Sequence, residues 1–119
     1  MVSYADPMSD TNEWKYGYDP DFLRKLNTDF GQHAKTRREW LGYLQANVAE
    51  AMRSHYEIPW HQTVVGKVEN GTREIKLHEA YALADIYGIS VQDLAEGRGL
   101  REIHELDFHP LRWALKSKK

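Results

Sequence analysis

HQTVVGKVENG, residues 61–71, is the stretch on which the reading of this chain turns. It opens on polar His61, Gln62 and Thr63 and passes through Val65 and Val68. It stops at Asn70-Gly71, where a helix commonly leaves through a left-handed residue. One short helix is the expectation. Its buried side is Val65 and Val68, which puts Gln62, Thr63, Gly66 and Lys67 on the outer side near its start, within reach of a partner. Amides and a single positive charge presented from a helix N-terminus suit base edges and phosphates in a DNA major groove. An ordinary amphipathic surface helix has the same pattern, so the flanking segments must decide.

Immediately upstream, LQANVAEAMRSHY (residues 44–56) places Leu44, Val48, Ala49 and Met52 on one buried stripe with Gln45 at its start, a second helix. Between the two, Pro59 ends any helix and forces Ile58 toward an extended backbone, which marks a turn. Tyr56, Ile58 and Trp60 are costly to leave in water, so the turn is expected to fold back on the core. Further upstream, Asp19-Pro20 is a helix-start signal, and Phe22, Leu26 and Phe30 follow at helical spacing. Asp29 offers a fresh cap for a stretch to Leu41 in which Phe30, Ala34 and Leu41 share a face. Gly31 favours a break, and one bent helix or two both remain open. Downstream, TREIK (residues 72–76) is a loop carrying Arg73 and Lys76. LHEAYALADIYG (residues 77–88) is a helix with Leu77, Ala80, Ala84 and Tyr87 inward and Gly88 as terminator. Ser90 caps a last short helix, with Asp93 in the reciprocal place of a capping box. The pattern is helices only, about five, with an internal pair around a turn: a helix-turn-helix.

The chain's 119 residues suit one domain over residues 19–97, with an arm at 1–18 and a tail at 98–119 that is open to helix formation or association. Trp14, Tyr16 and Tyr18 are too many aromatics for pure disorder. Part of the arm is expected on the domain surface or on a second subunit. With no cysteine, disulfides, thiolate zinc sites and cysteine nucleophiles are excluded. No apolar run approaches membrane-spanning length, and the acidic start MVSYADPMSD lacks signal-peptide regions, so a soluble cytoplasmic protein is expected. The net charge of −2 argues mildly against nucleic acid, yet residues 35–76 hold seven basic and five acidic residues while residues 1–29 hold three and six. A DNA site is a patch and not a whole-chain property. None of the six histidines forms an i, i+4 metal pair: His55 and His61 are six apart, and His104 and His109 five. There is no glycine-rich phosphate loop and no nucleophile elbow, and the carboxylates are scattered, so neither an enzyme nor a cofactor or metal is expected.

FGQHAKTRREWLGYLQANVAEAM (residues 30–52), VENG (68–71) and LADIYGISVQDL (83–94) together resemble the lambda-repressor and Cro type of helix-turn-helix domain, the Xre family of bacterial and phage regulators. The resemblance implies an all-α, five-helix DNA-binding fold. It also implies Gln62, Thr63 and Lys67 at the bases, and Gln45, His61, Asn70 and Arg73 at phosphates. Val64 either touches a thymine methyl or packs. Arg38 and Glu69 would form the family's internal ion pair between its first and third helices. The function implied is a sequence-specific double-stranded DNA-binding transcriptional regulator, a repressor acting as a homodimer on a palindromic operator. The alternative is the antitoxin half of a toxin-antitoxin pair, holding its protein partner through the arm or the tail. The dimer contact is expected after Ser90 or in the aromatic arm.

Four departures from the family pattern stand out. The turn carrying EIPWHQ is longer than usual, similar to that of some actinobacterial members. Leu44 replaces a small capping hydroxyl, and Arg37 replaces an apolar residue. The helix from Leu77 also lacks the family's proline and capping serine near Lys76.

Overall fold

The computed structural model describes residues 20–103, which form five helices: α1 (Pro20–Leu41), α2 (Gln45–Tyr56), α3 (Gln62–Glu69), α4 (Leu77–Tyr87) and α5 (Val91–Glu96). This is the expected five-helix architecture. The arm with Trp14, Tyr16 and Tyr18, the cap expected at Asp19, and residues 104–119 of the tail lie outside the described residues. No helix among the described residues is long and apolar enough to cross a membrane.

α1 begins at Pro20, whose fixed φ suits a first helical position, and Asp21 follows in the electropositive first turn. It then runs unbroken for 22 residues. Of the two readings left open, one helix is the one observed, with no break at Gly31; Asp29 starts no new helix and takes a hydrogen bond from Lys25 Nζ at 3.1 Å. Gly31 has another task. A Cβ there would stand 2.0 Å from the Val68 carbonyl oxygen, so only a residue without a side chain lets the backbones of α1 and α3 come this close.

α2 and α3 pack on each other, α1 lies across α3 and α5, and α4 closes the far side of α2. The apolar stripe of α2 is Val48, Ala49, Ala51 and Met52. Leu44, expected in that stripe, is exposed at the N-cap, where its backbone N–H donates to Asn47 Oδ1 at 2.9 Å. Leu77 is likewise exposed, while Ala80, Ala84 and Tyr87 of α4 are buried as the spacing requires. Ser90 Oγ accepts the Asp93 N–H at 3.0 Å, but the Asp93 carboxylate turns to Arg98 and does not close a capping box. In the turn, Glu57 adopts a left-handed φ of 58° at the end of α2, which drops Ile58 and Trp60 into the core. That conformation costs a non-glycine residue about 1 kcal/mol. The burial of one tryptophan offsets it.

Arg37 is wholly buried, although its place in the family pattern is apolar. Its Nε donates to the Tyr87 carbonyl at 2.9 Å, and Nη1 donates to the carbonyls of Leu100 and Glu102 at 3.0 and 2.7 Å. The guanidinium thus satisfies the end of α4 and straps the segment after α5 onto α1. Backbone carbonyls as far as Glu102 are tied to α1.

Two stability measurements check this account. Arg37→Met is expected to lower the unfolding free energy in urea by about 3 kcal/mol or more, since each buried acceptor left unpaired costs about 1–3 kcal/mol. Gly31→Ala is expected to cost about 1–3 kcal/mol by overpacking, despite alanine's better helix propensity. A stabilised Gly31→Ala variant would show that α1 and α3 do not approach at this point.

Candidate nucleic-acid interface

α3 ends where its sequence directs, with Asn70 at the C-cap and Gly71 at φ +82°. Val65 and Val68 face the core, leaving Gln62, Thr63 and Lys67 exposed on the opposite side. His61 is the N-cap residue. It is exposed, and its side chain makes no capping hydrogen bond.

The orientation of this helix is set from beneath. Arg38 Nε donates to Glu69 Oε2 at 2.6 Å and Arg38 Nη2 to Glu69 Oε1 at 3.1 Å, a two-pronged pair with both side chains buried. Arg38 Nη1 adds a bond to the Tyr43 carbonyl at 2.9 Å, tying the corner between α1 and α2 into the same cluster. The hydrogen bonds that Arg38 donates to Glu69 hold the Arg38 pKa above its ordinary value against the opposing effect of burial.

Above the pair lies a cleft of about 480 Å³, lined by Gln32 and Lys35 of α1, Gln45 of α2, and Thr63, Gly66, Lys67, Glu69 and Asn70 around α3. Five of the expected site residues therefore meet in one place: Gln45, Thr63, Lys67, Asn70 and the carboxylate of the ion pair. Gln62 and His61 sit at the α3 N-terminus, exposed and outside the cleft lining. Gln45 Nε2 donates to Glu69 Oε1 at 3.0 Å. Asn70 Oδ1 accepts from the Thr72 N–H at 3.0 Å and the Thr72 hydroxyl at 2.7 Å, so its own amide nitrogen is the group left to meet an anion. Val64 is half-buried and packs against the core.

Gln32 and Lys35 had been given no role. They lie three apart on α1, offset from buried Gly31, Ala34 and Arg38, and that spacing was the available signal.

Arg73, expected at a phosphate, is paired within the protein. Its Nη1 and Nη2 donate to Glu79 Oε1 and Oε2 at 3.0 and 3.1 Å, and the guanidinium lies over the Trp60 ring, 5.5 Å from the centroid. Trp60 Nε1 and the Lys76 backbone N–H complete the shell of Glu79, at 3.0 and 2.9 Å. This buried glutamate, at the third position of α4, satisfies the backbone N–H of the N-cap residue and anchors the long turn as well. Burial alone would push the Glu79 carboxyl up. The hydrogen bonds from Arg73, Lys76 and Trp60 outweigh it and bring the pKa down to about 2.

Because the folded pKa lies below the ordinary carboxylate value of 4.5, Glu79 contributes its full stabilisation above about pH 4.5 and loses it as the pH falls toward 2. Glu79→Gln is expected to flatten the acid limb of the stability profile in that window. An acid limb of unchanged slope in a urea-unfolding series would count against the pairing.

Comparison with known families adds the identity of this arrangement. The helix-turn-helix family model matches residues 35–94, half of the chain, from Lys35 in the cleft through all of α2, α3 and α4 to Leu94 in α5. No curated protein and no solved structure matches the chain. A short helix braced by a buried ion pair, with a polar outer face beside a cleft shared by three helices, is what the matched span contains. The chain belongs to the lambda-repressor and Cro-like helix-turn-helix family of DNA-binding transcriptional regulators.

Proposed function

We propose that this protein is a sequence-specific repressor that binds a palindromic operator in double-stranded DNA as a homodimer. The observation that carries the reading is the exposed outer face of α3, held in one orientation by Arg38 and Glu69 and bordered by amide and ammonium donors from α1 and α2. Gln62, Thr63 and Lys67 read base edges in the major groove. Gln45, His61 and Asn70 hold phosphates, joined by Gln32 and Lys35 of α1. Arg73 is assigned to the turn and not to the DNA, because both of its terminal nitrogens are engaged by Glu79. A single helix of eight residues covers only a few base pairs, so two-fold pairing is what supplies a usable operator length.

The antitoxin alternative draws on exposed Leu77 and Tyr81 of α4, two large apolar side chains that the core leaves uncovered. The same side chains serve a homodimer equally well, so they do not favour it. A toxin-like reading frame beside the gene would.

Selection of bound sequences from a random duplex pool tests the reading directly, with a two-fold symmetric motif as the expected result. Affinity is expected to fall as salt rises. Lys35→Ala should weaken all duplexes about equally and reduce the magnitude of the salt slope by about 1 per site, while leaving base preferences intact. Gln62→Ala should instead relax preference at one base pair per half-site, a loss of about 1–3 kcal/mol of discrimination. Uniform loss in Gln62→Ala with the motif unchanged would move the reading role to Thr63 or Lys67. Salt-independent binding would sink the phosphate assignments altogether.

A further inference from the structure

Glu69 does more than neutralise Arg38. Its Oε2 receives the short bond from Arg38 Nε, but Oε1 accepts two donors: Arg38 Nη2 at 3.1 Å and Gln45 Nε2 at 3.0 Å. The Gln45 amide lies across Gly66, where a Cβ would stand 3.6 Å from its nitrogen and 3.8 Å from its oxygen. It therefore sits over the bare middle of α3, inside the cleft. An amide's two ends are nearly the same in shape, and only its hydrogen-bond partners decide which way it faces. A carboxylate accepts and never donates, so the nitrogen must face Glu69. One N–H is used there, and the second remains on the same nitrogen. Phosphate oxygens also only accept, which makes that second N–H, and not the carbonyl, the useful group.

We propose that Glu69 is a positioning residue for DNA binding, fixing the Gln45 amide so that its free N–H and not its carbonyl meets a phosphate oxygen. This rests on the DNA-binding reading above. The ion pair with Arg38 braces α3, and the third hydrogen bond carries the same buried charge into the orientation of a side chain on α2.

A double-mutant cycle of Gln45→Ala and Glu69→Gln in the full chain, measured on a selected duplex alongside urea unfolding, tests the coupling. In Glu69→Gln the new carbonyl keeps the short bond from Arg38 and an NH2 group stands where Oε1 was, so the Gln45 N–H loses its acceptor and the amide its fixed orientation. Each single variant is expected to weaken binding about tenfold, the worth of one hydrogen bond to a charged group. The double variant is expected to bind no more weakly than Gln45→Ala alone. Losses that multiply in the double variant overturn the proposal, as does wild-type affinity in a folded Glu69→Gln.

Should Glu69→Gln fail to fold, the side-chain amide resonances of Gln45 in the wild-type protein decide. One proton shifted downfield and slow to exchange supports the contact, and two solvent-like protons refute it. Failure of the wild-type chain to bind any duplex would remove the DNA-binding reading instead. The amide resonances would still answer for the contact.

Discussion

The buried pair between Arg38 on α1 and Glu69 at the end of α3 is the interaction on which the rest of the arrangement depends. Removing two charges from water costs several kcal/mol per ion, and their attraction returns that only when the geometry is good, so such a pair is weak as a source of stability. What it supplies is a fixed angle. An eight-residue helix with two inward valines has little apolar area with which to define its own rotation. The two-pronged pair supplies that definition at one end, and the contact of Gly31 with the Val68 carbonyl supplies it along the length.

The fate of the basic residues follows from the same economy of a small core. Between residues 35 and 76 the charge balance is positive, and a count of that kind suggests a broadly cationic face. Much of it is already engaged within the protein. Arg38 is bound to Glu69, Arg73 to Glu79, Arg37 to backbone carbonyls, and Arg53 Nη1 donates to the Trp60 carbonyl at 2.6 Å. Guanidinium groups suit this work because their planar array of donors can satisfy several acceptors at once while remaining charged. At the cleft the cations are two lysines, Lys35 and Lys67, accompanied by the side-chain amides of Gln32, Gln45 and Asn70. Under the proposed function, such an interface would hold phosphate through directed donors more than through a general positive field.

The long turn shows how a departure from the family pattern is absorbed. Trp60 enters the core, its indole N–H meets Glu79, and Arg73 lies on the face of the ring while binding the same glutamate. The carboxylate therefore serves the turn, the loop after α3 and the first turn of α4 together.

Periodicity and punctuation were enough to place the helices: Pro20 and Ser90 start two of them, Gly71 and Gly88 follow the ends of two more, and Val65 with Val68 gave α3 its inner side. The resemblance carried by residues 30–94 identified the pairing of Arg38 with Glu69, since nothing local links positions so far apart. Local pattern left Gly31 undecided and misplaced Leu44 and Leu77. A glycine inside a helix reads as a weakness until a second backbone is brought against it, and a leucine at a helix start reads as core until the neighbouring helices leave it uncovered. The partner of each polar side chain was equally out of reach. Whether Arg73 meets a phosphate or Glu79, and which end of the Gln45 amide faces outward, depends on acceptors that tertiary packing brings within 3.1 Å. Sequence determined the elements and their faces because both follow from backbone geometry repeating along the chain. Only the tertiary structure decided which donors are engaged within the protein, because a hydrogen bond is a property of two groups and the chain order specifies one at a time.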